Sequence, residues 1–193
     1  MENQFYAVLS RMKYINRWAL MRNLQTESVW EHSYEVAILA HALAVLTNRR
    51  FGGAVTVERC VLLALYHDAP EIFTGDMPTP VKYHSPTLRD AYQQVEALAA
   101  DRLLEMLPAD LQEDYRSLLV PDSDGQTEQQ LVKAADKLSA LIKCATELAQ
   151  GNREFESARR TIERALRGMR LPAVDCFLEE FLPAFTLTLD EQS

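Results

Sequence analysis

The sequence predicts an all-α fold, and three observations carry that reading. Apolar residues recur at three- and four-residue steps along most of the chain. Two Ser/Thr-x-x-Glu/Gln capping boxes stand ahead of apolar runs, each a helix-start signal. No stretch alternates apolar and polar residues as a half-buried strand would, and no internal repeat interrupts the helical pattern.

Near the start, Phe5, Val8, Leu9, Met12 and Ile15 form the stripe of an amphipathic helix. Ser28-Val29-Trp30-Glu31 is the first capping box, and an apolar run follows through Val36, Leu39, Leu43 and Leu46 to Thr47-Asn48. A third helix runs from Thr56 towards His67 and should end or kink near Asp68. Pro70 removes a backbone donor there but is tolerated at a helix start, so a short turn should begin at Pro70 and stop before Gly75. Gly75-Asp76-Met77-Pro78-Thr79-Pro80 reads as the strongest loop in the chain. Further helices are expected at about 86–107, 109–119, 127–150, 153–168 and 172–183. Thr127-Glu128-Gln129-Gln130 is the second capping box, which sets Asp136 well inside its helix, and residues 121–126 read as a surface turn.

A chain of 193 residues with 48% hydrophobic and 25% charged residues reads as one domain, 1–193, able to bury a core, with a short flexible tail at about 186–193. The net charge of -8 argues against binding a nucleic-acid polymer, which needs a basic face. Cys60, Cys144 and Cys176 are odd in number and far apart, as for reduced thiols. No 18-residue apolar stretch or signal-peptide core is present, so the expected location is the cytoplasm, without a membrane partner.

The residues with chemical potential are His32, the His67-Asp68 doublet and Asp136, all in helical segments. Imidazole nitrogen and carboxylate oxygen suit one divalent ion such as cobalt or manganese, with no soft ligand among them. Spacing alone leaves two readings level: a metal site, or buried histidines and solvated aspartates. His41 lies nine residues beyond His32, on the opposite side of the same helix, and His84 follows the proline loop, so neither joins the set. Glu71 falls four residues after His67 and could donate a proton near such an ion, or simply sit in a first helical turn. Arg17-Trp18 pairs a phosphate-binding fork with a large ring, or a surface cation with a packing anchor.

Taken together, these pieces resemble the HD-domain metal-dependent phosphohydrolases, whose signature is H…HD…D on a helical bundle. The resemblance is closest to the bacterial HD-domain 5′-deoxynucleotidases, over nearly the whole chain. It rests on Ile15-Asn16-Arg17-Trp18, Glu31-His32-Ser33, Tyr66-His67-Asp68-Ala69, Glu71, Thr74-Gly75-Asp76, Pro78-Thr79-Pro80-Val81-Lys82-Tyr83 and Lys133-Ala134-Ala135-Asp136. The Arg-Trp pair and the GD-x-PTP loop are far more specific than the bare HD pattern. Pro70 departs from the pattern, where a small polar residue is expected before the glutamate.

The resemblance implies hydrolysis of 2′-deoxyribonucleoside 5′-monophosphates to deoxynucleoside and phosphate by a homodimer. It implies that His32, His67, Asp68 and Asp136 hold the metal, that Glu71 is the general acid and that Arg17 orients the phosphate. Trp18, Asp76, Met77, Pro78 and Thr79 would line the nucleotide pocket, with His32, Asp68 and Asp136 also touching substrate. The rival expectations are an HD phosphohydrolase acting on a cyclic or polyphosphorylated nucleotide, and a non-catalytic nucleotide sensor.

Overall fold

The computed structural model describes residues 3–82, 84–120 and 126–192. Among them helix is the regular structure, apart from one isolated antiparallel bridge between Asn16 and Ser28. The helices are α1 (Phe5–Leu9), α2 (Val29–Arg50), α3 (Val57–Tyr66), α4 (Glu71–Thr74), α5 (Thr79–Lys82), α6 (Pro86–Leu104), α7 (Gln112–Leu119), α8 (Gln126–Ala149), α9 (Glu156–Gly168) and α10 (Pro172–Glu180). Tighter 3-10 turns follow α1 at Ser10–Tyr14, precede α9 at Arg153–Phe155, and close the chain at Leu182–Thr186 and Leu189–Gln192. No helix among the described residues is long and apolar enough to cross a membrane.

The chain divides into two compact units. One comprises Met1–Met21, Thr26–Tyr34 and Leu65–Gly125; the other Arg22–Gln25, Glu35–Ala64 and Gln126–Ser193. The first unit is built on a cluster of Phe5, Ala69, Ala100, Leu103, Leu104, Leu107 and Leu119. The Phe5 ring meets Tyr115 edge-on at 5.2 Å between centroids, and Tyr115 meets Tyr66 likewise at 5.9 Å.

The end of α3 follows from one missing hydrogen. An α-helix continued past Tyr66 would need the N–H of residue 70 for the Tyr66 carbonyl, and proline has none. The Ala69 N–H takes that carbonyl instead, at 3.0 Å, and the chain tightens into successive three-residue turns. Glu71 N–H then bonds the Asp68 carbonyl at 3.0 Å, and α4 follows directly on Pro70, whose φ of -57° suits the residue before a helix start. Tyr66 and Ala69 face the core while His67 and Asp68, between them, remain half-buried.

In the second unit α8 packs on α9 and buries Leu131, Leu138, Leu141, Ile142 and Ala145 at helical spacing. Its last turns hold a buried carboxylate. Glu147, 2% exposed, accepts from Lys143 Nζ, from Asn152 Nδ2 at 2.7 Å, and from the backbone N–H groups of Leu24 at 3.0 Å and Gln25 at 3.2 Å. Lys143 also donates to the Gln25 carbonyl.

Three local expectations differ from the structure. The first stripe is a single α-helical turn and a 3-10 turn rather than one continuous helix. The proline loop contains a helical turn, α5, because Pro80 occupies a first-turn position whose N–H needs no partner. Thr127 lies inside α8 rather than capping it, and Glu128 beside it accepts from the Thr56 N–H at 3.1 Å. The first capping box forms as expected: Ser28 N–H donates to Glu31 Oε2 at 2.7 Å, and Glu31 N–H to Ser28 Oγ at 3.2 Å. Of residues 121–126, expected as a turn, 121–125 lie outside the described residues and Gln126 instead begins α8.

Glu147 carries a measurable share of stability. Burial raises its pKa, but Lys143, Asn152 and the Leu24 and Gln25 N–H groups outweigh burial and hold it at about 2. Because the folded value lies below the unfolded 4.5, this stabilisation is complete above the unfolded value and is lost as pH falls towards 2. Glu147→Ala would leave the Lys143 charge buried and unpaired, costing about 3–5 kcal/mol. Denaturant melts at neutral pH and at pH 3 test this: the difference between wild type and variant should shrink at the lower pH.

Candidate active site

The site assembles in the first unit from three chain segments. The bridge at Asn16 and Ser28 ties the Arg17 segment to the start of α2: Val29 N–H bonds the Ile15 carbonyl at 2.9 Å and Arg17 N–H the Glu27 carbonyl at 2.8 Å. His32 enters from the first turn of α2, and His67-Asp68 from the turn forced by Pro70.

Asp68 is where these segments meet. Its Oδ2 lies 3.1 Å from His67 Nε2, 3.5 Å from His32 Nε2 and 3.9 Å from Arg17 Nη1. The two imidazole rings are 5.3 Å apart, and ligand atoms of His32, His67 and Asp68 all fall within 4.8 Å of one another. Burial works to raise the Asp68 pKa, yet His67 first, then His32 and Arg17, overcome it, so the carboxyl is held below its usual range. Two nitrogens and an ionised oxygen converging in this way fit a divalent ion. Asp136 lies half-buried on α8, in the second unit.

Glu27 was not singled out from the sequence. Its Oε1 lies 3.3 Å from His32 Nδ1 and 3.5 Å from Arg17 Nε. An acidic residue just ahead of a helix start is common as a dipole partner, so no sequence signal separates it from that role.

Glu71 sits at the start of α4, 9% exposed, and its Oε2 is buried without a hydrogen-bond partner. Burial chiefly, then the charges of Asp68 and Asp76, push its pKa up to about 10, with Arg17 and Lys82 pulling the other way. A carboxylic acid that keeps its proton at neutral pH is a proton donor. It borders a cavity of about 270 Å³ that His67, Asp68, Glu96, Ala100 and Leu119 also line. Two residues that the sequence did not single out, Glu96 and Tyr92, shape this side: Lys82 pairs with Glu96 at 2.7 Å and lies over the Tyr92 ring. The larger cleft of about 550 Å³, in the second unit beside Arg50 and Cys176, has exposed arginines and glutamates and none of these features.

The Gly75–Thr79 segment approaches through an unusual backbone. Gly75 has φ 71° and ψ 165°, a region essentially reserved for glycine, and it sends the chain from α4 to Asp76. Asp76 accepts from the Trp18 backbone N–H, and burial, the largest influence, raises its pKa against the pull of Arg17. Trp18 itself has φ 58°, rare for so bulky a residue, and the Met21 N–H closes on its carbonyl at 2.9 Å. Met77 and Pro78 are half-buried; Thr79 starts α5, and its side chain lies outside the described set. His41 and His84 are exposed and take no part in the cluster.

Residues 4–185 match the family described as 5′-deoxynucleotidase YfbR-like. The chain belongs to the YfbR-like 5′-deoxynucleotidase family. A 5′-deoxynucleotidase of Photorhabdus temperata is 50% identical over 191 residues, covering 99% of this chain and 97% of that one. A 5′-deoxynucleotidase of Yersinia pestis (strain Pestoides F) matches to the same extent. Among solved structures, an HD-domain phosphohydrolase from Listeria innocua superposes with a TM-score of 0.83 at 29% identity, over 98% of this chain and 91% of that one. The HD phosphohydrolase of cyanophage S-2L, bound to dA and one catalytic Zn2+ ion, gives 0.66 at 18% identity over 94% and 96%, a likeness of fold alone. The all-α chain thus has the HD-phosphohydrolase fold of a hydrolase family.

Both imidazoles face Asp68 Oδ2, so an ion held by this cluster should depend most on Asp68. Asp68→Ala in the YfbR-like chain should abolish stoichiometric Mn2+ or Co2+ binding in calorimetry. Unaltered affinity in a folded variant would remove Asp68 from the ligand set.

Proposed function

We propose that this chain hydrolyses 2′-deoxyribonucleoside 5′-monophosphates to deoxynucleoside and phosphate, with residues 1–193 acting as one HD domain. The observation that carries the reading is the meeting of His32, His67 and Asp68 with the Arg17 guanidinium, beside the buried Glu71 carboxyl. Family membership and the 50% identical 5′-deoxynucleotidases support the substrate class.

In this reading His32, His67 and Asp68 hold one divalent ion, and Asp136 is the fourth ligand. When bound, the ion supplies Lewis-acid assistance to a phosphate ester and lowers the pKa of water. Cobalt and manganese suit the nitrogen and oxygen donors. The chain's own residues do the rest. Arg17, already within 3.9 Å of Asp68, holds the phosphoryl oxygens and offsets charge that grows as the bond to O5′ lengthens. Water adds to phosphorus, the O5′–phosphorus bond breaks, and Glu71 gives its proton to O5′, which would otherwise leave as a poor alkoxide. Trp18, Asp76, Met77, Pro78 and Thr79 line the nucleotide side, with His32, Asp68 and Asp136 also in contact with substrate. The Asp76 bond to the Trp18 N–H supports that arrangement by joining the two segments. Three cysteines outside any disulfide, two of them buried, support residence in a reducing cytoplasm.

A matrix of dAMP, AMP, dTMP and 3′-dAMP against Mn2+, Co2+ and Mg2+ tests the activity by phosphate release. The reading expects turnover of dAMP and dTMP over AMP and 3′-dAMP; preferential cleavage of a cyclic or polyphosphorylated nucleotide would replace it. Glu71→Ala should keep the metal and lose about 10²–10⁴ in kcat. Wild-type turnover in that variant would reduce Glu71 to a helix-start residue.

The homodimer is also a proposal. Trp30, Tyr34, Ile38 and Val45 are exposed apolar residues on α2, more than an isolated helix face needs. Light scattering should give twice the chain's 22.0 kDa; a monomer at micromolar concentration would count against it.

A further inference from the structure

We propose that Glu27 is a positioning residue that couples the phosphate-binding arginine to the metal ligand His32. A single carboxylate oxygen faces both: Oε1 lies 3.3 Å from His32 Nδ1 and 3.5 Å from Arg17 Nε. The backbone of the same residue holds Arg17 again, its carbonyl accepting the Arg17 N–H at 2.8 Å. The Glu27 side chain is 15% exposed, and those of Arg17 and His32 are 12% and 0%, so these contacts are shielded from water.

The geometry divides the work of the imidazole. A carboxylate at Nδ1 favours the tautomer with its hydrogen there, which leaves the Nε2 lone pair on the side of Asp68. It also fixes the ring plane and makes Nε2 a better donor to a cation. On the arginine, Glu27 Oε1 lies 3.5 Å from Nε, while Nη1 lies 3.9 Å from Asp68 Oδ2. Nη1, on the Asp68 side, is thereby aimed at the place where a phosphate oxygen would lie. One carboxylate thus sets the aim of two groups with different tasks, and displacing it should disturb metal and phosphate binding together.

This inference rests on the phosphohydrolase reading, and its test separates the two. The wild type, Glu27→Ala, Glu27→Gln and Glu27→Asp are compared by Mn2+ affinity, by inhibition with inorganic phosphate, by KM and kcat for dAMP, and by the 15N shifts of His32. Circular dichroism checks folding; should Glu27→Ala fail to fold, the isosteric Glu27→Gln carries the test. Glu27→Ala is expected to weaken Mn2+ binding about 10- to 100-fold and to leave His32 in mixed tautomers. It should also raise the phosphate Ki and KM more than it lowers kcat. Glu27→Asp should recover part of both affinities, which a merely destabilising loss would not predict. A folded Glu27→Gln or Glu27→Ala with unchanged Mn2+ affinity and unchanged His32 shifts overturns the proposal, as does a loss of metal affinity with the phosphate Ki unmoved. A wild-type protein that binds neither Mn2+ nor phosphate instead overturns the functional reading beneath it.

Discussion

The Asp68 carboxylate is the constraint on which the rest of the site depends. Its Oδ2 draws two imidazoles and a guanidinium to within 3.9 Å, and those groups come from the Arg17 segment, the start of α2 and the end of α3. Burying a charge is costly unless it is compensated, and this compensation is what makes the carboxyl easier to ionise in spite of burial. The direction is the one a metal ligand requires. A carboxylate oxygen must be deprotonated to bind a cation.

Glu71 shows the opposite outcome a few residues away. It lacks a hydrogen-bonded partner for Oε2 and faces the charges of Asp68 and Asp76, so the same burial raises its pKa. Two carboxyl groups separated by one turn of backbone are thus pushed in opposite directions by their neighbours. The backbone break that separates them is local in origin. Without an N–H on Pro70, the Tyr66 carbonyl turns to Ala69, and the doublet and the acid fall on either side of a tight turn. Pro70 therefore helps to set Glu71 at the first position of α4.

Much of the fold was legible because its signals are short-range. The Ser28 capping box, the interruption at Pro70 and the apolar stripe of α8 depend on contacts within about one helical turn. Signals failed where a local pattern had more than one use. Thr127 has cap chemistry, yet it lies within α8, and its neighbour Glu128 serves the Thr56 N–H. Pro80 reads as a loop residue but is equally suited to the first turn of α5. Glu27 reads as a helix-dipole acid, because nothing in a linear pattern reveals that one oxygen lies between an arginine and a histidine.

By itself, the sequence determined the helical class, the break between α3 and α4 and the residue types capable of holding an ion, since periodicity, capping and donor chemistry are properties of near neighbours. It also carried the motifs that mark the family. Which donors face one another was decided only by the tertiary structure. His32 and Asp68 are far apart along the chain, and their 3.5 Å approach depends on the packing that holds the turn after α3 beside the start of α2. The left-handed Trp18 and the raised Glu71 pKa belong to the same class: each is imposed by surroundings that no spacing of letters encodes.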